Sequence, residues 1–324
     1  MISIIIPTYN AESSLSKVLE GIFTQVDVGP FEVIVIDSSS SDRTREIAAS
    51  FPLQWEAIAK KDFSHPGTRN RGVRRASGAY VVFLTQDAVP ANPWWLNRLI
   101  APLKSDGSIA GSYGRQVPRP EATDWLEIRE LAASFPAESS VRRLTLPGEM
   151  QKYLRYPWPY THFSDSSAAY RRELLLEHPF NEALPLGEDQ EWAKRMLEAG
   201  HAIAYAADSE VVHSHDFTWK ETLTRFPVHG RAFAMFMPRL KPLGVLWESL
   251  RRRSAQVTAG DIKVTRIFSA LARGGALGSL FKRLVRVASF YYGWRIQKTR
   301  QFLKSRRRWK SQMLSVPGPK TSLR

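Results

Sequence analysis

The first ninety residues alternate between short apolar runs and amphipathic stretches, and this alternation limits the possible folds more than any other feature. Four runs have the length and β-branched content of buried strands: residues 2–6, 33–37, 53–59 and 80–84. Three helices are predicted between them: residues 11–26, 41–50 and 67–77. This order predicts an α/β fold with a doubly wound sheet, whose ligand site lies at the carboxyl ends of the strands.

Lysine and arginine are concentrated in the last quarter of the chain. Residues 1–238 carry a formal net charge of −4, whereas residues 239–324 carry +19. Residues 1–238 also include a helix predicted at residues 189–199 and a strand predicted at residues 202–205. We therefore predict an α/β domain at residues 1–238 and a basic, helical region at residues 239–324, whose charge favours a polyanionic partner.

The 324-residue chain contains no cysteine, which excludes disulfides and thiolate metal sites. Its first residues are predicted as a buried strand and lack the basic and apolar regions of a signal peptide. No uncharged apolar run reaches the ~18 residues that a membrane-spanning helix needs. The sequence therefore predicts a cytoplasmic protein.

Acidic residues follow two of the predicted strands and open a later helix. Asp37 ends the second strand, where it could accept hydrogen bonds from a base or a ribose. Asp87 follows the fourth strand, where a carboxylate and substrate phosphates could hold Mg²⁺. Glu188 and Asp189 begin a helix, and adjacent carboxylates can separate their pKa values, which suits a general base.

These positions also have ordinary structural explanations. Asp42 could cap the helix that follows it, and Asp87 could simply form a turn. Acidic residues in a first helical turn interact favourably with the helix dipole. His213 and His215 lie on one face of an extended strand, where they could bind a metal or be solvated or satisfied within the core.

Five short segments occur in an order and spacing that match a known family. They are Pro7-Thr8-Tyr9-Asn10, the turn from Asp37 to Asp42, Gly67-Thr68-Arg69-Asn70, the Asp87 strand end and Gly187-Glu188-Asp189. As an ordered set they resemble family 2 glycosyltransferases of the GT-A fold, over about residues 1–215. Residues 63–70 and 83–88 further resemble the bacterial rhamnosyltransferase branch. The resemblance implies a Rossmann-like mixed sheet flanked by helices.

The resemblance also implies roles for individual residues. Asp189 would be the catalytic base, with Glu188 beside it. Asp87 would hold Mg²⁺ or Mn²⁺ together with His215, or alternatively His213. The residues implied in donor binding are Pro7, Tyr9, Asp37, Ser39, Arg69, Asn70, Gln86 and Asp87. The sequence departs from the family at Thr85, where the common Asp-x-Asp pattern has its first acid.

These roles imply an inverting glycosyltransferase with a dTDP- or UDP-sugar donor. The branch resemblance indicates transfer of L-rhamnose from dTDP-L-rhamnose to a lipid-linked or cell-surface polysaccharide acceptor. The alternative is a nucleotide- or nucleic-acid-binding α/β protein without transferase activity. Acidic residues at three separate places favour the transferase, because a nucleic-acid binder has no use for them. We therefore expect no nucleic-acid partner.

An amphipathic helix is predicted near the C-terminus. Its apolar face comprises Leu280, Leu284, Val287, Tyr291 and Trp294. Its basic face comprises Lys282, Arg286, Arg300 and Lys304. This pattern is typical of a helix that lies on an anionic membrane, and it predicts a peripheral protein on the inner face of the cell membrane. The alternative is an apolar stripe packed on the catalytic domain with a solvated basic face.

Overall fold

A mixed β-sheet forms the centre of the protein. The computed structural model describes residues 1–145, 147–237, 284–301 and 304, and the sheet in this part of the chain has nine strands. They are β1 (Ile2–Thr8), β2 (Phe31–Asp37), β3 (Gln54–Ala57), β4 (Tyr80–Leu84), β5 (Val89–Pro90), β6 (Ile109–Val117), β7 (Ser140–Arg142), β8 (Ser167–Arg171) and β9 (Ala202–Val212). Their spatial order is β3-β2-β1-β4-β8-β6-β9-β5, and β7 also pairs with β9.

The first four strands are parallel, as the sequence predicts, and the sheet then changes direction. β1 lies between β2 and β4 and is parallel to both, while β3 extends the sheet beyond β2. β8 is antiparallel to both β4 and β6. The doubly wound pattern is therefore confined to the N-terminal strands. The reversal brings the start of β8 to the carboxyl end of β4.

Helices cover both faces of this sheet. They are α1 (Leu15–Phe23), α2 (Thr44–Ala48), α3 (His65–Arg75), α4 (Trp95–Ser105), α5 (Trp125–Ser134), α6 (Pro147–Arg155), α7 (Trp158–Thr161), α8 (Arg172–Glu177), α9 (Glu188–Glu198), α10 (Trp219–Phe236) and α11 (residues 284–301). One sheet face packs on α1 and α4, and the other packs on α3, α8 and α9. Each core contains a fully buried tryptophan, Trp95 in the first and Trp192 in the second.

The predicted and observed elements differ most at helix ends. β4 matches its predicted range, whereas α1 begins at Leu15 instead of residue 11. The residues before it stay outside the helix because tertiary hydrogen bonds hold their backbone. The N–H of Ala11 donates to Thr44 Oγ1, and that of Glu12 donates to Asp42. α4 and β6 were not predicted.

The C-terminal helix α11 packs closely on α10. A Cβ atom added to Gly230 of α10 would lie 1.9 Å from the carbonyl oxygen of Phe290. A Cβ atom added to Gly293 of α11 would likewise lie 1.9 Å from the carbonyl oxygen of Pro227. Glycine is therefore required at both positions for this approach. The helix that the sequence predicts is present, and one of its sides is covered by α10.

The prediction that Arg286 lies on a basic face, directed to anionic headgroups or to solvent, is wrong. Arg286 is 3 % exposed, and its guanidinium contacts the carboxylates of Asp124, Glu127 and Glu130. These acidic residues lie more than 150 positions earlier in the chain, in and next to α5. The sequence pattern could not show this pairing, because a helical wheel contains no information about the surface that the helix meets.

The other residues of the predicted amphipathic helix are divided between partly buried and exposed positions. Val287 and Trp294 are partly buried. The exposed members are Leu284, Tyr291, Arg300 and Lys304. Leu280 and Lys282 lie outside the described residues. Among the helices that the structure describes, none is both long and apolar enough to cross a membrane.

Candidate active site

Asp87 and two histidines meet at the carboxyl end of β4. Asp87 lies in the turn between β4 and β5, and β5 pairs with β9 so that Val89 is opposite Val212. His213 and His215 follow β9 directly, so this pairing brings them beside the turn. Ligand atoms of the three side chains lie within 4.8 Å of one another. The structure thus brings both candidate histidines to Asp87.

The protonation states in this cluster suit metal ligands. Burial opposes ionisation of Asp87, but the adjacent imidazoles of His213 and His215 outweigh it and lower the pKa of Asp87 to about 2. Burial, followed by the charge of His213, lowers the pKa of His215 to about 4. At neutral pH the carboxylate is therefore ionised and the His215 imidazole is neutral, as metal coordination requires.

The side chain of Gln116 orients His213. Gln116 Oε1 lies 2.8 Å from His213 Nδ1, and an amide oxygen only accepts hydrogen bonds, so Nδ1 is the donor. Nε2 lies 3.5 Å from Asp87 Oδ1, where a protonated imidazole forms an ion pair with the carboxylate and a neutral one offers its lone pair to a shared cation. The donor set of one carboxylate and two imidazoles therefore fits a divalent cation.

A second cluster surrounds the side chain of Arg69, which is 6 % exposed. Arg69 Nε lies 3.0 Å from Asp165 Oδ2, and Nη1 forms an ion pair with Glu188. Asp189, the predicted base, accepts a hydrogen bond of 3.1 Å from the backbone N–H of Asp165. One guanidinium therefore lies near three carboxyl groups, of which it pairs with Asp165 and Glu188.

The pKa of Asp189 is raised well above its usual value. Burial is the largest cause, followed by the charges of Asp165 and Glu188, while Arg69 acts in the opposite direction. Burial also raises the pKa of Asp165 to about 6, against the effect of Arg69. A carboxylate with raised proton affinity is a stronger general base once it is ionised.

Both clusters lie at the same edge of the sheet. Asp165 comes two residues before β8, and the antiparallel pairing places the first residue of β8 opposite the last residue of β4. The segment that carries Asp165 therefore lies beside the turn that carries Asp87. Gln116 links His213 to the residue before Asp165, because its Nε2 donates a hydrogen bond of 2.8 Å to Ser164 Oγ.

Asp165 and Gln116 were not found from the sequence. The signal available for Asp165 is its position just before a short apolar run at residues 168–170. Gln116 lies in β6, which was not predicted, and its neighbours give no signal. Its contact with His213 exists only because β6 and β9 pair in the folded sheet.

The ends of β1 and β4 are joined by Tyr9 and Gln86, two residues predicted to bind the donor. The N–H of Tyr9 donates to Gln86 Oε1 at 2.7 Å, and Gln86 Nε2 donates back to the Tyr9 carbonyl at 3.1 Å. Pro7 is partly buried within β1 just before them. Lys60, which was not predicted, lies with its Nζ 4.3 Å from the centroid of the half-exposed Tyr9 ring.

The turn after β2 holds Asp37 by local hydrogen bonds. Its carboxylate accepts from the Thr8 hydroxyl at 3.0 Å and from the Ser40 N–H at 2.8 Å, and the residue is buried. Ser39 adopts the left-handed conformation with φ 62°, and its hydroxyl donates to the carbonyl of Ile58. These contacts shape the turn, and binding of a base by Asp37 stays a prediction.

Asn70 and Arg69 have structural contacts of their own. The Asn70 amide donates to the Phe180 carbonyl and to Glu182, both at 2.9 Å, and accepts from the Phe180 N–H. Asn70 thereby holds the loop that leads into α9. Its predicted contact with the donor, like that of Arg69, stays a prediction.

Solved glycosyltransferases have the same fold. A mannosyltransferase from Pyrobaculum calidifontis, solved with GDP-mannose and Mn²⁺, superposes with a TM-score of 0.58 at 19 % identity, over 91 % of this chain and 86 % of the other. Glucosyl-3-phosphoglycerate synthase from Mycobacterium tuberculosis, solved with Mn²⁺ and UDP-glucose, superposes with a TM-score of 0.51 at 20 % identity, over 74 % and 79 %. The expected GT-A fold is confirmed.

Two curated relatives are similar in sequence over most of the chain. The O-antigen chain rhamnosyltransferase of Salmonella typhimurium is 36 % identical over 228 residues, which cover 69 % of this chain and 70 % of the relative. The enzyme of the same description from Salmonella anatum is 33 % identical over 226 residues, or 69 % of each protein. Each alignment is much longer than any one of the five motifs, so the similarity does not rest on a single motif.

The family model described as glycosyl transferase family 2 matches residues 3–178, which is more than half of the chain. This match decides between the two functions that the sequence left open, a transferase and a binding protein without transferase activity. Together with the relatives and the shared fold, it shows that the chain belongs to glycosyl transferase family 2 and is a glycosyltransferase.

Proposed function

We propose that the protein is an inverting glycosyltransferase that moves L-rhamnose from dTDP-L-rhamnose to a lipid-linked or cell-surface polysaccharide acceptor. The observation that carries the reaction is that Asp189, hydrogen-bonded to the backbone of Asp165, lies at the same edge of the sheet as the cluster of Asp87, His213 and His215. The choice of sugar is supported by the two relatives, which are both described as O-antigen chain rhamnosyltransferases.

Asp189 acts as the base in a single displacement. An acceptor hydroxyl is a poor nucleophile at neutral pH, so its proton must leave as it attacks. Ionised Asp189 takes that proton while the acceptor oxygen bonds to the anomeric carbon. The bond from this carbon to the donor diphosphate breaks in the same step, and the nucleoside diphosphate leaves. One displacement inverts the anomeric configuration.

Arg69 and Glu188 adjust the charge around this base. Arg69 pairs with Glu188 and Asp165, so its positive charge offsets part of the repulsion that keeps Asp189 protonated. Without Arg69, a larger fraction of Asp189 is protonated at neutral pH and cannot accept a proton. We therefore propose that Glu188 acts indirectly, by holding Arg69 near Asp189.

Asp87, His213 and His215 hold a divalent cation in this proposal. Such a cation, when bound, neutralises charge on the departing diphosphate. Two imidazole ligands favour Mn²⁺ over Mg²⁺, which prefers oxygen ligands. The donor nucleotide lies along the ends of β1, β2 and β4, where Pro7, Tyr9, Asp37, Ser39 and Gln86 are found.

We also propose that the C-terminal region attaches the enzyme to the anionic inner surface of the cell membrane. Residues 239–324 carry a net charge of +19. The exposed side of α11 presents Leu284 and Tyr292 next to Arg295. Apolar and aromatic side chains beside cations suit the boundary between headgroups and acyl chains. The opposite side of α11 packs on the protein.

A donor comparison tests the proposed function. Purified enzyme with Mn²⁺ and a lipid-linked oligosaccharide acceptor is incubated with dTDP-L-rhamnose, UDP-glucose or UDP-galactose, and release of nucleoside diphosphate is measured. We expect clear turnover with dTDP-L-rhamnose and an inverted anomeric configuration by NMR of the product. Faster turnover with either UDP-sugar contradicts the choice of donor, and retention of configuration contradicts the mechanism.

A further inference from the structure

We infer that Arg286, in the C-terminal helix α11, positions the segment that carries His215 and thereby sets the metal affinity of the site. This inference rests on the proposed metal site. Arg286 lies more than one hundred residues beyond the part of the chain that matches the family model. It touches none of the three metal-site residues and acts through its neighbours, so it is a positioning residue.

Three carboxylates fix the guanidinium of Arg286. Nη1 lies 2.6 Å from Glu130 Oε2 and 3.2 Å from Glu127 Oε2, while Nη2 lies 3.2 Å from Asp124 Oδ2. The Arg286 side chain is 3 % exposed. Hydrogen bonds between a guanidinium and carboxylates are strong and directional, so the buried guanidinium has little freedom to move.

Aromatic rings connect Arg286 to His215. The Arg286 Cζ atom lies 5.3 Å from the centroid of the Phe217 ring and 5.1 Å from that of Phe226. The Phe217 ring in turn lies 5.1 Å from the His215 ring. Phe217 is therefore held between a fixed cation and a proposed metal ligand.

The residues on both sides of His215 are held by the loop before α5. The Ser214 hydroxyl accepts a hydrogen bond of 3.0 Å from the N–H of Arg119. The Asp216 carboxylate accepts from the N–H groups of Thr123 and Asp124, at 2.9 and 2.7 Å. Because Asp124 also binds Arg286, the guanidinium supports this segment from two directions, through Phe217 and through the loop.

The two histidines differ in how the fold holds them in place. The backbone of His213 is held by the sheet, because its N–H donates to the Val117 carbonyl at 2.9 Å, and Gln116 orients its ring. His215 lies beyond β9 and depends on the support described above. Loss of Arg286 should therefore loosen one ligand of three and leave the other two in place, which weakens metal binding without abolishing it.

Titration with Mn²⁺ alone tests this inference. The free aquo-ion signal in electron paramagnetic resonance gives the Kd for the full-length wild type, for Arg286→Met and for the control Arg295→Met, each well below its melting temperature. Arg295 lies on the exposed side of the same helix. We expect Arg286→Met to raise the Kd by about tenfold to a hundredfold, as for other residues that support metal ligands. The control should match the wild type.

The outcomes are distinguishable. If the wild type binds Mn²⁺ and Arg286→Met binds it equally well while melting at a lower temperature, Arg286 is merely structural and the inference is wrong. If the wild type itself does not bind Mn²⁺, the proposed metal site fails and the inference fails with it.

A second variant covers the case in which Arg286→Met does not fold, since that substitution leaves three carboxylates without their cation. Phe217→Leu removes the ring between Arg286 and His215 and leaves every ion pair intact. We expect it to raise the Kd for Mn²⁺ as well. An unchanged Kd in folded Phe217→Leu overturns the inference.

Discussion

At the scale of single residues, burial and charge act on Asp189 in a way that limits the pH range of the enzyme. Burial and the charges of Asp165 and Glu188 make its carboxylate a better proton acceptor. The same effects keep it protonated at low pH, when it cannot act as a base. Activity should therefore fall as the pH decreases through the raised pKa of Asp189.

Replacing Asp189 with Asn tests its role as the base. The amide cannot accept the proton of the acceptor hydroxyl, so transfer should be abolished, while dTDP binding measured by calorimetry stays close to the wild-type value. Turnover above about a tenth of the wild type, a loss below ~1.4 kcal/mol, contradicts the assignment.

The stability of the same variant provides a second check. Because the folded-state pKa of Asp189 is raised, the folded state favours the protonated carboxyl, and this contribution is lost as the pH rises. An uncharged Asn should therefore melt at the wild-type temperature or above it at alkaline pH. A lower melting temperature there would mean that ionised Asp189 stabilises the fold.

The substitution Asp165→Asn should shift the pH dependence of the enzyme. It removes a negative charge next to Asp189 and frees Arg69 to face Asp189, and both changes lower the pKa of Asp189. The acidic limb of the kcat profile should move to lower pH. Glu177→Gln, an exposed carboxylate in α8, serves as the control. A limb that stays in place or moves upward contradicts the proposed coupling.

At the scale of secondary structure elements, two glycines allow α10 and α11 to pack closely. Gly293→Ala would bring a methyl group against the Pro227 carbonyl, so α11 must shift or detach. We expect a loss of about 1–3 kcal/mol in the free energy of unfolding, measured by urea denaturation.

A matched substitution separates this packing effect from a general effect of glycine replacement. Gly148 of α6 has open space around the position of an added Cβ atom. Gly148→Ala should therefore leave stability unchanged or raise it by up to ~1 kcal/mol, because alanine favours the helix. Equal losses in Gly148→Ala and Gly293→Ala would show that the close approach of α10 and α11 is not the cause.

At the scale of the whole molecule, the negative catalytic part and the positive C-terminal region meet through Arg286 and through the packing of α11 on α10. The packed side of α11 is occupied, so membrane attachment depends on its exposed side. Tyr292→Ser with Arg295→Ser should reduce co-sedimentation with vesicles containing phosphatidylglycerol, and should leave dTDP binding unchanged.

The ionic strength of the buffer provides the control for this measurement. Attraction between cationic side chains and anionic lipids is screened by salt, so wild-type sedimentation should decrease as salt is added. Sedimentation that is insensitive to both salt and the double substitution would contradict attachment through the exposed side of α11.

The sequence by itself determined the alternation of strands and helices over the first ninety residues, the strand-end positions of Asp37 and Asp87, and the placement of Asp189 in the first turn of α9. These features follow from periodicity and local composition, which a linear chain displays directly.

The roles of Asp165, Gln116 and Arg286 were decided only by the tertiary structure. Each depends on a partner from a distant part of the chain: Asp165 on Arg69, Gln116 on His213 and Arg286 on the acidic residues of α5. Such pairs form because burial makes an unpaired charge or polar group costly, and a sequence pattern does not show which groups folding will bury together.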